Sequence, residues 1–414
     1  MSRSPLALAA LSTLAVPGLD VHHVQGSAAP DGFDAAVAID AEHRRWVVRA
    51  PRSLAAGAAL EAECAFLSGL VDFVDAGTLP FEVPRPAGFA PLPDGGRAVV
   101  YPELPGHPLR VDRIAPGPGI GASVGRAIAA LHELPVSLAE SSGLPVYSAE
   151  EYRQRRLSEV DEAAQTGKVA ATLLRRWERS LEDVSLWRFR PVVTHTSLSA
   201  ETLLIRAGQV SAMTDFFEVQ VGDPADDLSW LLVTAPQESV ESIVEAYQLR
   251  RTELIDPHLM DRALLASELA LARWLLHGVR NDRADVVQDA VSMLADLDRA
   301  ATEVGAFSVA ASQAKPADPK PASPKPASAA PRAPREEPPA LDETAGSTER
   351  VPDYAKVLPR PTQDVDTTAY ATVPAAGDAG EADEAEPDEA TDEAAAEPVT
   401  EPDAAPQTAP TDRV

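Results

Sequence analysis

The chain has 414 residues, 45% of them hydrophobic, and a formal net charge of −28. It is long enough for a large bilobal domain with further sequence beyond it, and apolar enough for a sizeable core. The charge opposes nucleic-acid phosphates and anionic membrane surfaces, so nucleic acid and membrane are set aside as partners. The single cysteine, Cys64, leaves no internal disulfide, and no Cys/His cluster has zinc-ligand spacing, so a reducing, cytoplasmic setting is expected.

Arg3 precedes an apolar run from Leu6 to Val16. It is read as an amphipathic helix closed by Pro17-Gly18 rather than a secretory signal, because strand-like sequence comes directly after it without a clear cleavage site. No stretch is expected to supply the roughly 18 apolar residues of a membrane span. Strands are predicted at Val21–Val24, Ala35–Ile39, Trp46–Ala50 and Ala98–Pro102, separated by Gly, Pro and Asp turns. A helix is predicted from Ala55 to Leu70, with Cys64 buried in its apolar run. Leu104-Pro105-Gly106 is a natural chain break.

Beyond the break the pattern is helical. Val124, Ile128, Leu131 and Leu134 recur at helical intervals ahead of Pro135. Further helices are predicted at Glu150–Ala164, Val169–Leu181, Val240–Leu254, Asp261–Val279 and Ala284–Val304. Within this half, Val192–Asp215 reads as strand and loop, and Trp177, Trp187, Trp230 and Trp274 read as core. The composition breaks near Phe307. From Ser312 to Val414 the chain is mostly Ala, Pro, Asp, Glu and Thr, with Lys-Pro repeats at Lys315, Lys320 and Lys325 and an acidic stretch around Glu381–Glu389. Too few large apolar residues remain there to offset backbone entropy. Residues 308–414 are therefore expected to form a disordered tail, either a solubilising extension or a segment that engages a protein partner.

The most informative stretch runs from Pro191 to Trp230. It holds His195 in a polar loop, a hairpin from Leu203 to Met213, Asp215-Phe216, and Gly222-Asp223-Pro224-Ala225-Asp226-Asp227-Leu228. In order and spacing this resembles the aminoglycoside and macrolide phosphotransferases, whose catalytic loop has the form H-G-D-x-x-x-x-N. In that family the loop leads into a hairpin, an aspartate-aromatic pair and G-D-P-x-x-D-L. Three more segments agree: Trp46–Arg52 resembles the strand with the nucleotide-contacting basic residue, Tyr101–Leu109 the hinge, and Ala129–Pro135 the helix ending in L-H-x-L-P.

The resemblance spans about residues 20–300 and implies an α+β, bilobal, protein-kinase-like fold. Residues 1–102 would be a β-rich nucleotide-binding lobe, and 103–307 a helical lobe with the catalytic loop. It implies ATP or GTP with Mg²⁺ as cofactor and a small hydroxylated molecule as acceptor. Arg49, Glu63, Tyr101, Glu103 and Leu104 would meet the nucleotide, with Glu63 pairing with Arg49 and Glu61 the competing choice. Asp215 and Thr202 would meet the metal.

The catalytic loop departs from the family pattern. Thr196 takes the glycine position, Ser197 the aspartate position and Thr202 the asparagine position. In phosphoryl transfer that aspartate accepts the acceptor's proton and that asparagine helps to hold Mg²⁺. A serine hydroxyl is neutral at pH 7 and no comparable base. His195 is expected to hydrogen-bond the backbone of its own loop, and Asp223 to cap a helix starting at Pro224. The segment Gly26–Asp34 falls where a phosphate-covering loop belongs, but Asp31 and Asp34 would repel phosphate. Three functions stay open: a nucleotide-binding protein with lost or weakened transfer, an active small-molecule kinase using Glu201 or Asp227 as base, and a non-catalytic scaffold acting through its acidic tail.

Overall fold

A computed structural model describes residues 2–29, 32–253 and 255–313, with 303–313 as backbone only. The tail from 314 on and Asp31 of the phosphate-covering segment lie outside the described residues.

The first half is a five-stranded antiparallel sheet between two helices. Its strands are β1 (Val21–Ser27), β2 (Phe33–Asp40), β3 (Arg45–Pro51), β4 (Gly88–Pro91) and β5 (Arg97–Pro102), in the order β1-β2-β3-β5-β4. Helix α1 (Pro5–Ala15) starts where the Ser4 hydroxyl accepts from the Ala7 amide and Pro5 presets the first turn. It lies on one sheet face, where Ala36, Ala38, Val48, Ala50, Ala90, Ala98 and Val100 form a shallow bed for Leu8 and Ala15. Small residues let the helix come close: a β-carbon on Gly88 would stand 2.0 Å from the Ala15 carbonyl oxygen. This end of the chain also occupies Asp34, whose carboxylate accepts from the Ser2 hydroxyl at 2.8 Å and the Arg3 amide at 2.9 Å. Asp34 is therefore a buried anchor for α1, not the phosphate-repelling loop residue expected.

Helix α2 (Leu54–Asp75) covers the other face, capped by Ser53. Phe33, Leu60, Cys64 and Val99 pack between it and the sheet, so Cys64 is buried as predicted. The helix outruns its predicted end at Leu70 because Val71, Phe73 and Val74 continue the apolar period. At this length it is long and apolar enough to cross a membrane by length and composition, contrary to expectation. Its buried face carries Glu63 among Leu60, Phe66, Leu67 and Leu70, which fits a helix packed on a sheet with an internal ion pair.

The second half centres on α3 (Ile120–His132) packed against α8 (Gln237–Arg250). A β-carbon on Gly125 would meet the Ile243 carbonyl oxygen at 2.1 Å, so the glycine permits this contact. Helices α4 (Val136–Ser141), α5 (Ala149–Gln165), α6 (Ala171–Glu182), α7 (Asp226–Thr234), α9 (Leu259–Arg280) and α10 (Ala284–Gln313) complete it. Helix α4 was not predicted, α7 begins two residues after the helix expected at Pro224, and α10 runs past its predicted end at Val304 into the first residues of the expected tail. Trp177 and Trp187 are buried, whereas Trp230 and Trp274 are half-buried. Strand β7 (Val192–Thr194) pairs with β10 (Gln220–Gly222), and β8 (Leu203–Arg206) pairs with β9 (Gln209–Met213) and the short β6 (His107–Pro108). This is the predicted α+β plan, an antiparallel sheet lobe joined to a helical lobe, and it brings β7, the β8–β9 hairpin and α2 to one place.

Candidate nucleotide site

Alternation along β3 turns Arg49 toward α2, where its buried guanidinium bonds Glu63. Glu61, the competitor, instead pairs with Arg97 at the surface, with Oε1 2.6 Å from Nε. The Arg49 guanidinium also stands 5.0 Å over the Phe33 ring, a cation–π contact. Its Nη1 lies 3.9 Å from Asp215 Oδ1, and its buried Nε has no hydrogen-bond partner among the described residues. Burial pushes the Tyr101 hydroxyl up, opposed by the charge of Arg49 beside it. Glu103 points elsewhere: its amide donates to the Arg45 carbonyl at 2.9 Å and its carboxylate accepts from Arg45 Nη2 at 3.0 Å. Leu104 is half-buried where the chain leaves the sheet.

The loop after β7 is held from below. Asp227 is buried and accepts the His195 and Thr196 amides at 2.7 Å each, and His132 Nε2 lies 3.0 Å away. Burial alone would raise this carboxyl, but the His132 hydrogen bond and the other donors hold it below the usual carboxylate range. With every donor directed inward, Asp227 is a clasp and not a reserve base. Glu201, the other alternative base, is exposed on the same loop. The clasp fixes Thr196 at a φ of 65°, a region strained for a β-branched residue, and the Thr196 hydroxyl donates to the Glu218 carbonyl at 2.8 Å.

His195 is buried, and its Nε2 lies 2.8 Å from the Thr214 carbonyl oxygen. That carbonyl belongs to the segment after the hairpin, not to the histidine's own loop as expected. Burial holds the imidazole below its ordinary value, so the ring is neutral and the carbonyl fixes the proton on Nε2. Nδ1 is then an acceptor, and Ser197 Oγ at 3.2 Å donates to it. Ser197 Oγ is also 3.4 Å from the Asp215 carbonyl oxygen. The His195 ring lies 4.9 Å from that of Phe216, which lies 6.2 Å from that of Phe66 on α2. An aromatic line thus ties the loop to the helix that carries Glu63. Nothing in the sequence pattern pointed to this line or to the His132–Asp227 bond.

Asp215 is left-handed at φ 63° and half exposed, a conformation that aspartate tolerates. Thr202 is buried, accepting from the Ser199 amide at 2.9 Å and donating to the Ser199 carbonyl at 3.2 Å. Asp223 accepts from Arg262 Nε at 2.7 Å and from the Ala225 amide at 2.9 Å. It therefore makes a turn tethered to α9 ahead of α7, which begins at Asp226, rather than capping a helix at Pro224. Among the described residues no group of three His, Cys, Asp or Glu is placed to hold a metal ion. Mg²⁺ favours an octahedron of oxygens that includes one or two carboxylates. Here the Thr202 hydroxyl is committed to its own loop and Asp215 Oδ1 already faces a guanidinium, so these residues fit a protein-held Mg²⁺ more poorly than the aspartate–asparagine pair usual in phosphoryl transfer.

A sheet lobe with a buried arginine–glutamate pair, set against a helical lobe with a histidine loop and a left-handed aspartate, defines the phosphotransferase class. The model of the phosphotransferase enzyme family matches residues 25–263, more than half of the chain, and the chain belongs to that family. It is 25% identical to the macrolide 2′-phosphotransferase MphH of Brachybacterium faecium, solved as apoenzyme, with a TM-score of 0.57 over 66% of this chain and 93% of that one. The GDP complex of aminoglycoside 2′-phosphotransferase-IIIa shares the fold, at 19% identity and a TM-score of 0.59 over 70% of this chain and 97% of that one. The uncharacterized protein YcbJ of Bacillus subtilis (strain 168) is 24% identical over 245 residues, 56% of this chain and 77% of its own.

Proposed function

We propose that this protein binds a purine nucleotide in the cleft beside Arg49 and has lost or weakened phosphoryl transfer to a small hydroxylated acceptor. The observation that carries the reading is Ser197. At the position where the family places its catalytic aspartate stands a neutral hydroxyl whose proton is given to His195 Nδ1. A neutral hydroxyl is a far weaker base than a carboxylate, and the buried imidazole behind it, held below its ordinary value, is a poor one to relay to. A general base contributes roughly 10²- to 10⁴-fold, which sets the size of the expected deficit. Nucleotide binding is supported by the Arg49–Glu63 pair and by the GDP bound to the aminoglycoside-phosphotransferase relative of the same fold.

Turnover of ATP and of GTP is to be measured against macrolides, aminoglycosides and simple polyols, for the native chain and for Ser197→Asp combined with Thr202→Asn. The native chain is expected to transfer phosphate at least about 100-fold more slowly than the double variant. Native turnover at ordinary kinase rates, about 1–100 s⁻¹, overturns the reading. It would favour the second reading, an active kinase with Glu201 as base, whose support is its exposure on the loop of Ser197.

A further inference from the structure

We propose that the cleft holds its nucleotide without a protein-bound divalent cation, with the Arg49 guanidinium supplying beside Asp215 the positive charge that a metal ion would bring. This rests on the nucleotide-binding reading above and deepens it.

Three observations converge. First, Arg49 is buried and pinned, yet its hydrogen-bonding capacity is not used up. Glu63 engages Nη2, Nη1 faces Asp215 Oδ1 at 3.9 Å, and the Nε–H has no partner among the described residues. A lysine ammonium is a point charge, whereas a guanidinium fork can serve Glu63 on one edge and an oxyanion on another. Second, the hydroxyl at the asparagine position is turned away from metal duty. Thr202 Oγ1 closes its own loop through both the amide and the carbonyl of Ser199. Third, Asp215 is left as a carboxylate facing a fixed cation. Without a metal, a carboxylate beside a phosphate chain is repulsive, and Arg49 is the group in place to offset it.

The arrangement reverses the sign of one substitution. In a metal-dependent cleft, removing the Asp215 charge removes a metal ligand and weakens nucleotide binding. In a metal-free cleft, the same change removes a repulsive charge and frees Arg49 for phosphate, so binding tightens.

The full chain is to be titrated with N-methylanthraniloyl-labelled GTP and ATP, in EDTA and in excess Mg²⁺, alongside Asp215→Asn checked for an unchanged circular dichroism spectrum. Dissociation constants in EDTA and in Mg²⁺ are expected to agree within about threefold, with Asp215→Asn binding about three- to tenfold more tightly in EDTA. A loss of affinity of about tenfold or more in EDTA overturns the proposal and leaves the nucleotide-binding reading intact. Weaker binding by Asp215→Asn in Mg²⁺ also overturns it. Absence of binding by either nucleotide in both buffers removes the nucleotide-binding reading, and this inference with it.

Discussion

The carboxylate of Asp227 receives the backbone amides of both His195 and Thr196, at 2.7 Å each, and faces His132 Nε2 at 3.0 Å. One side chain at the start of α7 therefore fixes the loop after β7 and ties it to the end of α3. Asparagine keeps the shape but replaces one acceptor oxygen with a donor that faces another donor, and it surrenders the charge. Hydrogen bonds to charged groups contribute about 1.5–3 kcal/mol each, and a buried donor left unmet adds a further cost. Asp227→Asn is therefore expected to lower unfolding free energy by about 3 kcal/mol in a urea titration. An unchanged midpoint together with abolished phosphate transfer would instead make Asp227 a base.

Acid should loosen the same region. His195 is held below its ordinary value near 6.5, first by burial, with Asp227 and the Thr214 carbonyl opposing. As pH falls below about 6.5 the unfolded chain takes up the histidine proton before the folded one does, so this contribution is full above that pH and is lost on the way down. Asp227, also held low, adds a second loss once pH falls below about 4, where its unfolded form protonates first. Urea midpoints measured between pH 8 and pH 5 are expected to decline below about pH 6.5, with His195→Gln flattening that part of the curve. A native profile flat across this range would show that His195 does not enter the folded core uncharged.

The lobes, the loop and the Arg49–Glu63 pair were legible in the sequence, while the other partnerships of the site were not. Gly222–Leu228 and Ala129–Pro135 are local patterns and could be recognised as such, but the bond between His132 and Asp227 joins residues 95 apart. Spacing alone left Glu61 as a rival to Glu63 for Arg49, because both lie on α2, and burial of one face decided it. Phe66 and Phe216 read as ordinary core residues in distant segments, and only packing set them in line with His195. The commitments of Thr202 and Asp223 were hidden for a related reason. Short polar side chains near a turn can cap, close a loop or bind a ligand, and sequence does not choose among these.

Thr196 offers a measure of strain in the loop. Its φ of 65° is the region that suits the glycine of the family pattern, and a β-branched residue there is held against a steric cost of roughly 1–2 kcal/mol. Two contacts hold it: its amide on Asp227 at 2.7 Å and its hydroxyl on the Glu218 carbonyl at 2.8 Å. Thr196→Gly relieves the steric cost but gives up the hydroxyl bond and gains freedom in the unfolded chain, so these terms nearly cancel. Thr196→Val keeps the branch and the strain while losing the bond. The glycine variant is therefore expected within about 0.5 kcal/mol of the native chain, and the valine variant about 1 kcal/mol below it, in urea titrations. Equal stability of the valine and native chains would show that the hydroxyl bond contributes nothing. A valine variant more stable than the glycine one would show that the left-handed backbone at 196 carries no strain, and that the clasp from Asp227 is enough to set it.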